Sequence, residues 1–313
     1  MRYYDILITD PNTGSTVRQY TSYKNGKSDP NALLVEMDLP VAPFNTPYGN
    51  AFVRVWGITR NDISQATDLN GKRIAVSGGM QKGLPLANPA QSGVLVQGVI
   101  QQAFGNWIGV DMTLDIVIST GTGSSLAPRN IVLDWKAGTP LSQAIASMLS
   151  AAFPGYQQQI NIDSRLILAS DDPGYYESME QFAAYINGLS KSIIGGTYGG
   201  VSIYLREKTF FVYDAPDSTK PHQLQYQDMI GQPTWKNPGQ IQVTLVMRAD
   251  LSINDYVKLP PSIITTTATA LPAYRKKSIF DGAYQVAAIR HVGNSRQPDK
   301  ESWVTVIDLN LIA

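Results

Sequence analysis

Chemistry in this sequence would have to come from few residues. There are two histidines, His222 and His291, and no cysteine. A histidine can act as a base, a proton shuttle or a metal ligand, but each role needs partners close by in the fold. His222 falls in a Lys220-Pro221-His222 loop and His291 at a strand end beside Arg290, so both read as structural. No His-Glu-x-x-His helix and no Gly-x-Ser-x-Gly elbow occurs. Ser77-Gly78-Gly79-Met80-Gln81-Lys82-Gly83 has the composition of a phosphate loop. It lacks the Gly-Lys-Ser/Thr ending and runs into a proline-rich stretch instead of a helix. Asp171-Asp172-Pro173-Gly174 places two carboxylates in a turn. A cation is one use for them; the plainer one is a solvated lead-in to the following helix, whose dipole favours negative charge there. Glu177 and Glu180 fall in or near the same first turn. Sugar hydrolysis needs two carboxyl groups facing each other across a cleft, and nothing in the spacing sets that up. Lack of cysteine excludes disulfides, thiol nucleophiles and cysteine-bound zinc or iron–sulfur sites. The chain therefore reads as having no catalytic residue, no cofactor and no metal.

The elements available to position a site are mostly strands. Arg2 to Thr9, Leu33 to Leu39, Phe52 to Ile58, Lys72 to Val76, Gly93 to Ile100 and Met112 to Ile118 carry alternation or β-branched runs. Asn25-Gly26 marks a hairpin turn, and Pro40, Pro43 and Pro47 end the second of these strands. The period changes in the middle. Thr139 as N-cap and Pro140 at the first helical position open a helix with Leu141, Ile145, Met148, Leu149 and Ala152 on one face. A second helix is predicted from about Tyr176 to Leu189, with Met179, Phe182, Ala183, Ile186 and Leu189 inward. Short strands are expected at Gln159–Ile162 and Leu166–Ala169, and a hairpin over Val201–Leu205 and Thr209–Tyr213. Strands return at Gln240–Met247, Tyr256–Leu259, Ala283–His291 and Trp303–Ile312. The fold class is mainly β with an α+β middle segment.

The first and last thirds share an order of elements. Each has a long alternating strand, a short strand, a long proline-containing loop, a strand opening at glycine (Gly93 and Gly282) and a tryptophan (Trp107 and Trp303) ahead of a final strand. If this is a duplication, three copies would present six similar units about one axis, an ordinary closed assembly. The two long loops carry Met80, Leu84 and Leu86, and Ile263, Ile264 and Leu271. Long loops without structure of their own are commonly functional, so these residues are the candidate interface, as arms over adjacent subunits; packing under their own barrels is the competing arrangement. Charged residues are 16% of the chain and net charge is zero, against about 25% charged in an average soluble chain. A weakly charged surface suits a subunit buried in an assembly. No basic stripe marks a sequence-reading nucleic-acid binder, though a channel that lets nucleic acid slide past is compatible. No apolar run reaches the ~18 residues of a membrane span, and the start of the chain lacks a signal segment.

Several stretches resemble phage baseplate hub proteins: Trp135 to Ile145, Tyr175 to Phe182, Gly200 to Ile203, Asp228 to Trp235, and Gly282 through His291-Val292-Gly293-Asn294 to Trp303. The resemblance covers roughly residues 130 to 313 well and the first third loosely. It implies a contractile-tail hub with two tube-like β-barrel domains plus a small α/β domain. The domains would be a first barrel at 1–127, an α+β middle domain at 128–213 and a second barrel at 214–313. It further implies a homotrimer forming a pseudo-hexameric ring that joins the tail tube protein to the central spike protein, touches other baseplate proteins and lines the ejection channel. Phage DNA or the tape measure protein would pass through transiently. The expected location is the virion tail baseplate, after synthesis in the host cytoplasm. The alternatives are a glycan-binding receptor-recognition tail protein, with its tyrosines and tryptophans stacking on sugars, and a peptidoglycan hydrolase.

Overall fold

Alternation of apolar and polar residues builds most of this structure, a computed structural model that describes residues 2–46, 49–81, 88–120, 131–206, 208–260, 280 and 282–312. The first part holds β1 (Arg2–Thr9), β2 (Thr16–Thr21), β3 (Tyr23–Lys24), β4 (Lys27–Ser28), β5 (Leu34–Val41), β6 (Ala51–Trp56), the short helix α1 (Arg60–Ser64), β7 (Arg73–Met80), β8 (Gly93–Ile108) and β9 (Asp111–Thr120). The middle holds β10 (Ile131–Trp135), α2 (Leu141–Ala152), β11 (Gln157–Asn161), β12 (Asp172–Tyr176), α3 (Met179–Ile194), β13 (Ser202–Arg206) and β14 (Thr209–Tyr213). The last part holds β15 (Asp217–Gln223), β16 (Thr234–Asn237), β17 (Gln240–Val246), β18 (Asp255–Lys258), β19 (Ala283–Asn294) and β20 (Trp303–Leu311).

One 13-stranded sheet runs through the first and last parts in the order β16-β17-β20-β19-β5-β6-β9-β8-β7-β1-β2, with β18 beside β19 and β15 beside β18. Its period-2 strands bury every second residue. Tyr4, Ile6 and Ile8, then Val35, Met37 and Leu39, then Val53 and Val55 enter one core with Leu114, Ile116 and Ile118. Ile241, Val243 and Leu245 enter another with Val286, Ile307 and Leu309. Each such side chain contributes roughly 1.5–3 kcal/mol on burial, so a one-residue slip of any strand would turn a whole row out to water. The two cores share a continuous sheet because β5 pairs antiparallel with β19, Leu39 opposite His291 and Asp38 opposite Val292.

The middle part packs helices on small sheets. α2 buries Leu141, Ala144, Ile145, Met148 and Leu149, and α3 buries Met179, Phe182, Ala183 and Ile186. They enclose fully buried Trp135, which donates from Nε1 to the Thr139 carbonyl at 2.7 Å, together with Phe153 and Phe210, whose rings lie 4.9 Å apart.

Several boundaries move from the sequence expectation. β5 runs through Pro40 instead of ending before it. β8 is one 16-residue strand that takes in Trp107, so that tryptophan stands ahead of β9 as expected but lies within a strand of its own. Pro140, not Thr139, holds the cap position of α2. α3 starts at Met179 with Ser178 accepting the Gln181 N–H, because Asp172–Tyr176 is taken up as β12 against β10. Leu166–Ala169 gives only a bridge between Pro140 and Ile167. The Asn25-Gly26 hairpin forms, with φ of 51° and 74°, as a type I′ turn requires.

Candidate assembly surface

The residues that could have carried chemistry are dispersed and engaged. His222 is on β15, not in a loop, with its Nε2 3.5 Å from Asp255 Oδ2. His291 is fully interior: its Nδ1 lies 2.9 Å from Thr305 Oγ1, which is itself bound to the Arg248 main chain. Burial pushes its pKa down to about 3, so it is neutral at ordinary pH. Ser77 to Met80 are the end of strand β7, where Gly78 approaches the Leu95 side chain so closely that a Cβ would lie 2.6 Å from it; Lys82 and Gly83 lie outside the described residues. Asp171 accepts the Ala137 N–H and the Lys136 ammonium. Asp172, now in a strand and not a helix lead-in, accepts the Tyr185 hydroxyl at 2.6 Å. Glu177 precedes α3 and Glu180 lies in its first turn. Among the described residues no group of histidine and carboxylate side chains is arranged to hold a metal, and no helix is long and apolar enough to cross a membrane. Met80 is half-buried against the first core. Leu84, Leu86, Ile263, Ile264 and Leu271 lie outside the described residues.

What the structure does assemble is a repeated four-stranded unit. β5-β6-β9-β8 and β16-β17-β20-β19 are consecutive in the same sheet. Both units carry a bulge at the same place: opposite Ile118 and Val117 between Ile100 and Gln102 of β8, and opposite Leu309 and Asp308 between Val286 and Ala288 of β19. Aligning the bulges makes Ile116 equivalent to Ile307 and Val53 to Val243, so the β6–β9 and β17–β20 ladders share one register; the outer strands match at one pair, Asp38–Phe52 with Thr234–Gln242, and β16 then carries an irregularity of its own between Trp235 and Asn237. Bulges are specific features that re-aim strands, and a shared one fixes the correspondence better than composition does. The glycines that open the two strands in sequence, Gly93 and Gly282, are not equivalent under this alignment. His291 is equivalent to Gly105, where Ile63 of α1 packs within 2.8 Å of a built Cβ. One unit fills this spot with a helix residue and the other with an imidazole, which accounts for a buried histidine without a catalytic role.

The two units present a common outer face that sequence reading missed. Arg54 is held by both oxygens of Asp115 at 2.6 and 2.8 Å, and Arg290 by Asp38 at 2.7 and 2.5 Å. Lys236 reaches Asp308 at 2.6 Å, and Glu36 accepts from Trp56 and Asn294, both at 2.9 Å. Across the middle of this face three cations form ion pairs with three aspartates, and the fourth carboxylate, Glu36, is held by neutral donors. Alternating polar positions in neighbouring strands were visible in the sequence, but their partners were not, since Asp38 and Arg290 are 252 residues apart.

Among the described residues the face runs out at two edge strands. Among the described residues β16 has β17 as its one strand neighbour, and β8 beyond Val99 has a strand, β9, on one side. Large apolar side chains are exposed at both edges: Trp107 (58%), Ile108 and Val110 at the β8–β9 turn, and Trp235 (48%) on β16.

No family model matches the sequence, and no curated relative matches it. Solved structures do. A tail protein from Neisseria meningitidis aligns over 98% of this chain and 96% of its own, with a TM-score of 0.55 at 11% identity. A prophage MuSo2 tail protein from Shewanella oneidensis aligns over 99% and 96%, with a TM-score of 0.55 at 9% identity. An E. coli component of the type VI secretion system, described as similar to the T4 bacteriophage tail proteins gp27 and gp5, aligns over 90% and 73% with a TM-score of 0.54 at 11% identity. The chain has the fold of these phage-tail and secretion-system proteins.

Proposed function

We propose that this chain is the structural, non-enzymatic hub subunit of a contractile phage-tail baseplate. The observation that carries the reading is the duplicated four-stranded unit joined edge to edge through β5 and β19. One chain thereby supplies two similar segments of a wall, and three copies would supply six, allowing a homotrimer to sit on a six-fold tube at one end while holding a three-fold spike at the other. The units divide the chain as 1–127, 128–213 and 214–313, with the barrels flanking the α+β part. Leu84, Leu86, Ile263, Ile264 and Leu271, with Met80 at the end of β7, would be the residues that reach adjacent subunits.

In this assembly the paired-charge face lines the channel. Unpaired cations would bind phosphate and release counterions; cations already held by Asp38, Asp115 and Asp308 leave little for a passing DNA or tape measure protein to grip. The subunit would reside in the virion tail, contacting tube, spike and other baseplate proteins. The test is the state of the purified full chain at high concentration. A six-lobed ring with a central hole in electron micrographs, with a mass of three chains, supports the reading; persistent monomers without rings overturn it.

A further inference from the structure

We infer that Asn25 is a site of spontaneous covalent modification, converted without enzyme or cofactor to aspartate and isoaspartate by attack of the Gly26 main-chain nitrogen. Asparagine followed by glycine is open to this reaction because glycine has no side chain to obstruct the approach. The pair occurs three times, at Asn25-Gly26, Asn70-Gly71 and Asn187-Gly188, and the structure separates the three. Asn70 Oδ1 accepts the Ala103 N–H at 2.7 Å, and the Gly71 N–H donates to the Ile100 carbonyl at 2.8 Å, so both reacting groups are held. Asn187 and Gly188 lie inside α3, where the main-chain N–H groups belong to the helix ladder, and Asn187 Nδ2 donates to the Val201 carbonyl at 2.9 Å. Asn25 is exposed, and neither its side chain nor the Gly26 N–H has a partner among the described residues. A Cβ built on Gly26 would meet nothing within 4 Å.

The turn must leave its folded dihedral angles for the nitrogen to reach the side-chain carbonyl, and this hairpin opens at little cost. β3 and β4 form a sheet of their own, with Tyr23 opposite Ser28 and Lys24 opposite Lys27, and a lone two-stranded hairpin is marginally stable at best. Opening stops at its base. The Asp29 N–H donates to the Ser22 carbonyl at 2.9 Å and the Ser22 N–H to the Tyr4 carbonyl at 3.0 Å, while buried Ser22 accepts the Tyr4 N–H on Oγ at 2.9 Å. In the open state the Gly26 nitrogen loses its proton and bonds to Asn25 Cγ, and the bond from Cγ to the side-chain nitrogen breaks, releasing ammonia. The cyclic imide then takes up water at either carbonyl and opens to aspartate or to isoaspartate, in which the main chain runs through the former side chain. Isoaspartate lengthens the turn, so the positive φ at both positions that a two-residue turn requires is lost. Either product places a carboxylate between Lys24 and Lys27 and takes the net charge of the chain from zero to one negative charge.

The test uses the full chain, incubated folded in buffers from neutral to mildly alkaline pH, then digested and mapped by mass spectrometry with separation of aspartate from isoaspartate peptides. The Asn25 peptide should convert at least about tenfold faster than the Asn70 and Asn187 peptides, since local opening costs least at a surface hairpin and most in core elements. Its rate should rise with pH, because the attacking nitrogen must give up its proton. In denaturant the three peptides should convert at similar rates, which shows that the fold and not the local sequence makes the selection. An Asn25→Asp variant supplies the marker for the direct product on ion exchange and keeps the hairpin, since aspartate tolerates the left-handed region. Conversion of Asn70 or Asn187 as fast as Asn25 in the folded chain, an intact Asn25 when the denatured chain reacts, or a rate that does not change with pH overturns the inference. Each of these outcomes leaves the assembly reading untouched.

Discussion

Arg248 is where loss of one side chain should be felt most. Its side chain is 6% exposed. Its guanidinium lies 3.2 Å from Asp228 and donates to both oxygens of Asp250 at 2.7 and 2.6 Å. Asp228, 11% exposed, also accepts from Gln91 at 3.1 Å, so the cluster ties the first part of the chain to the last. Replacing Arg248 with methionine keeps much of the volume but leaves the Asp228 carboxylate buried without its cation. Breaking such a pair costs about 3–5 kcal/mol. With an m-value of about 5 kcal/mol/M in guanidinium chloride, the unfolding midpoint should fall by roughly 0.6–1 M. The control is Arg290→Met, which removes an equally well-formed but half-exposed pair with Asp38 and should shift the midpoint by less than about 0.2 M. Adding Asp228→Asn to Arg248→Met should recover part of the loss, because the uncompensated charge goes with it. Denaturant unfolding followed by fluorescence reads all four proteins. Equal shifts for Arg248→Met and Arg290→Met, or no recovery in the double variant, would refute the reasoning.

Stability should fall with acid in a window set by His291. Its folded pKa, about 3, lies below the unfolded value of 6.5, so between these limits the unfolded state binds the extra proton and stability drops as pH falls, by up to about 1.4 kcal/mol per pH unit. His291→Leu should flatten that part of the stability profile, as measured by unfolding at pH 7 and pH 5. Gly105→Val should destabilise by about 1–3 kcal/mol, because the new side chain meets the Ile63 backbone, which cannot yield; thermal unfolding checks it. Exchanging Asp38 and Arg290 for asparagine and glutamine should leave stability within about 1 kcal/mol. On the proposed function, a cell-wall clearing assay should show no activity and a glycan array no binding; a clear positive in either favours the rival reading it tests.

Local rules carried the sequence a long way. Alternation located Ile241, Val243 and Leu245 facing inward, all of which are buried, and Asn25-Gly26 located a hairpin because few residues tolerate positive φ. Helical spacing found the inward faces of α2 and α3. Thr59-Arg60-Asn61-Asp62 carried a capping signal for α1, realised as a reciprocal Thr59–Asp62 cap, that reading for strands passed over. The β5–β19 joint was beyond such rules, because no pattern in either strand specifies a partner some 250 residues away. The repeat was legible in element order but not in register. The equivalence is set by the extra residues Gln101 and Ala287 in the two bulges, and a bulge depends on the partner strand, not on its own residue types. His291, read as a strand-end residue, lies inside β19, which continues past it to Asn294 in pairing with β5.

The central claim is that the duplicated unit lets three copies of this chain form a six-part ring. A strand-resolving electron-microscopy map of the assembled full chain measures this directly. The account predicts three chains about a hollow axis, with the eight strands from β16 to β8 of each chain facing it. A map in which the chains share no hollow axis, or turn these strands away from it, would contradict it.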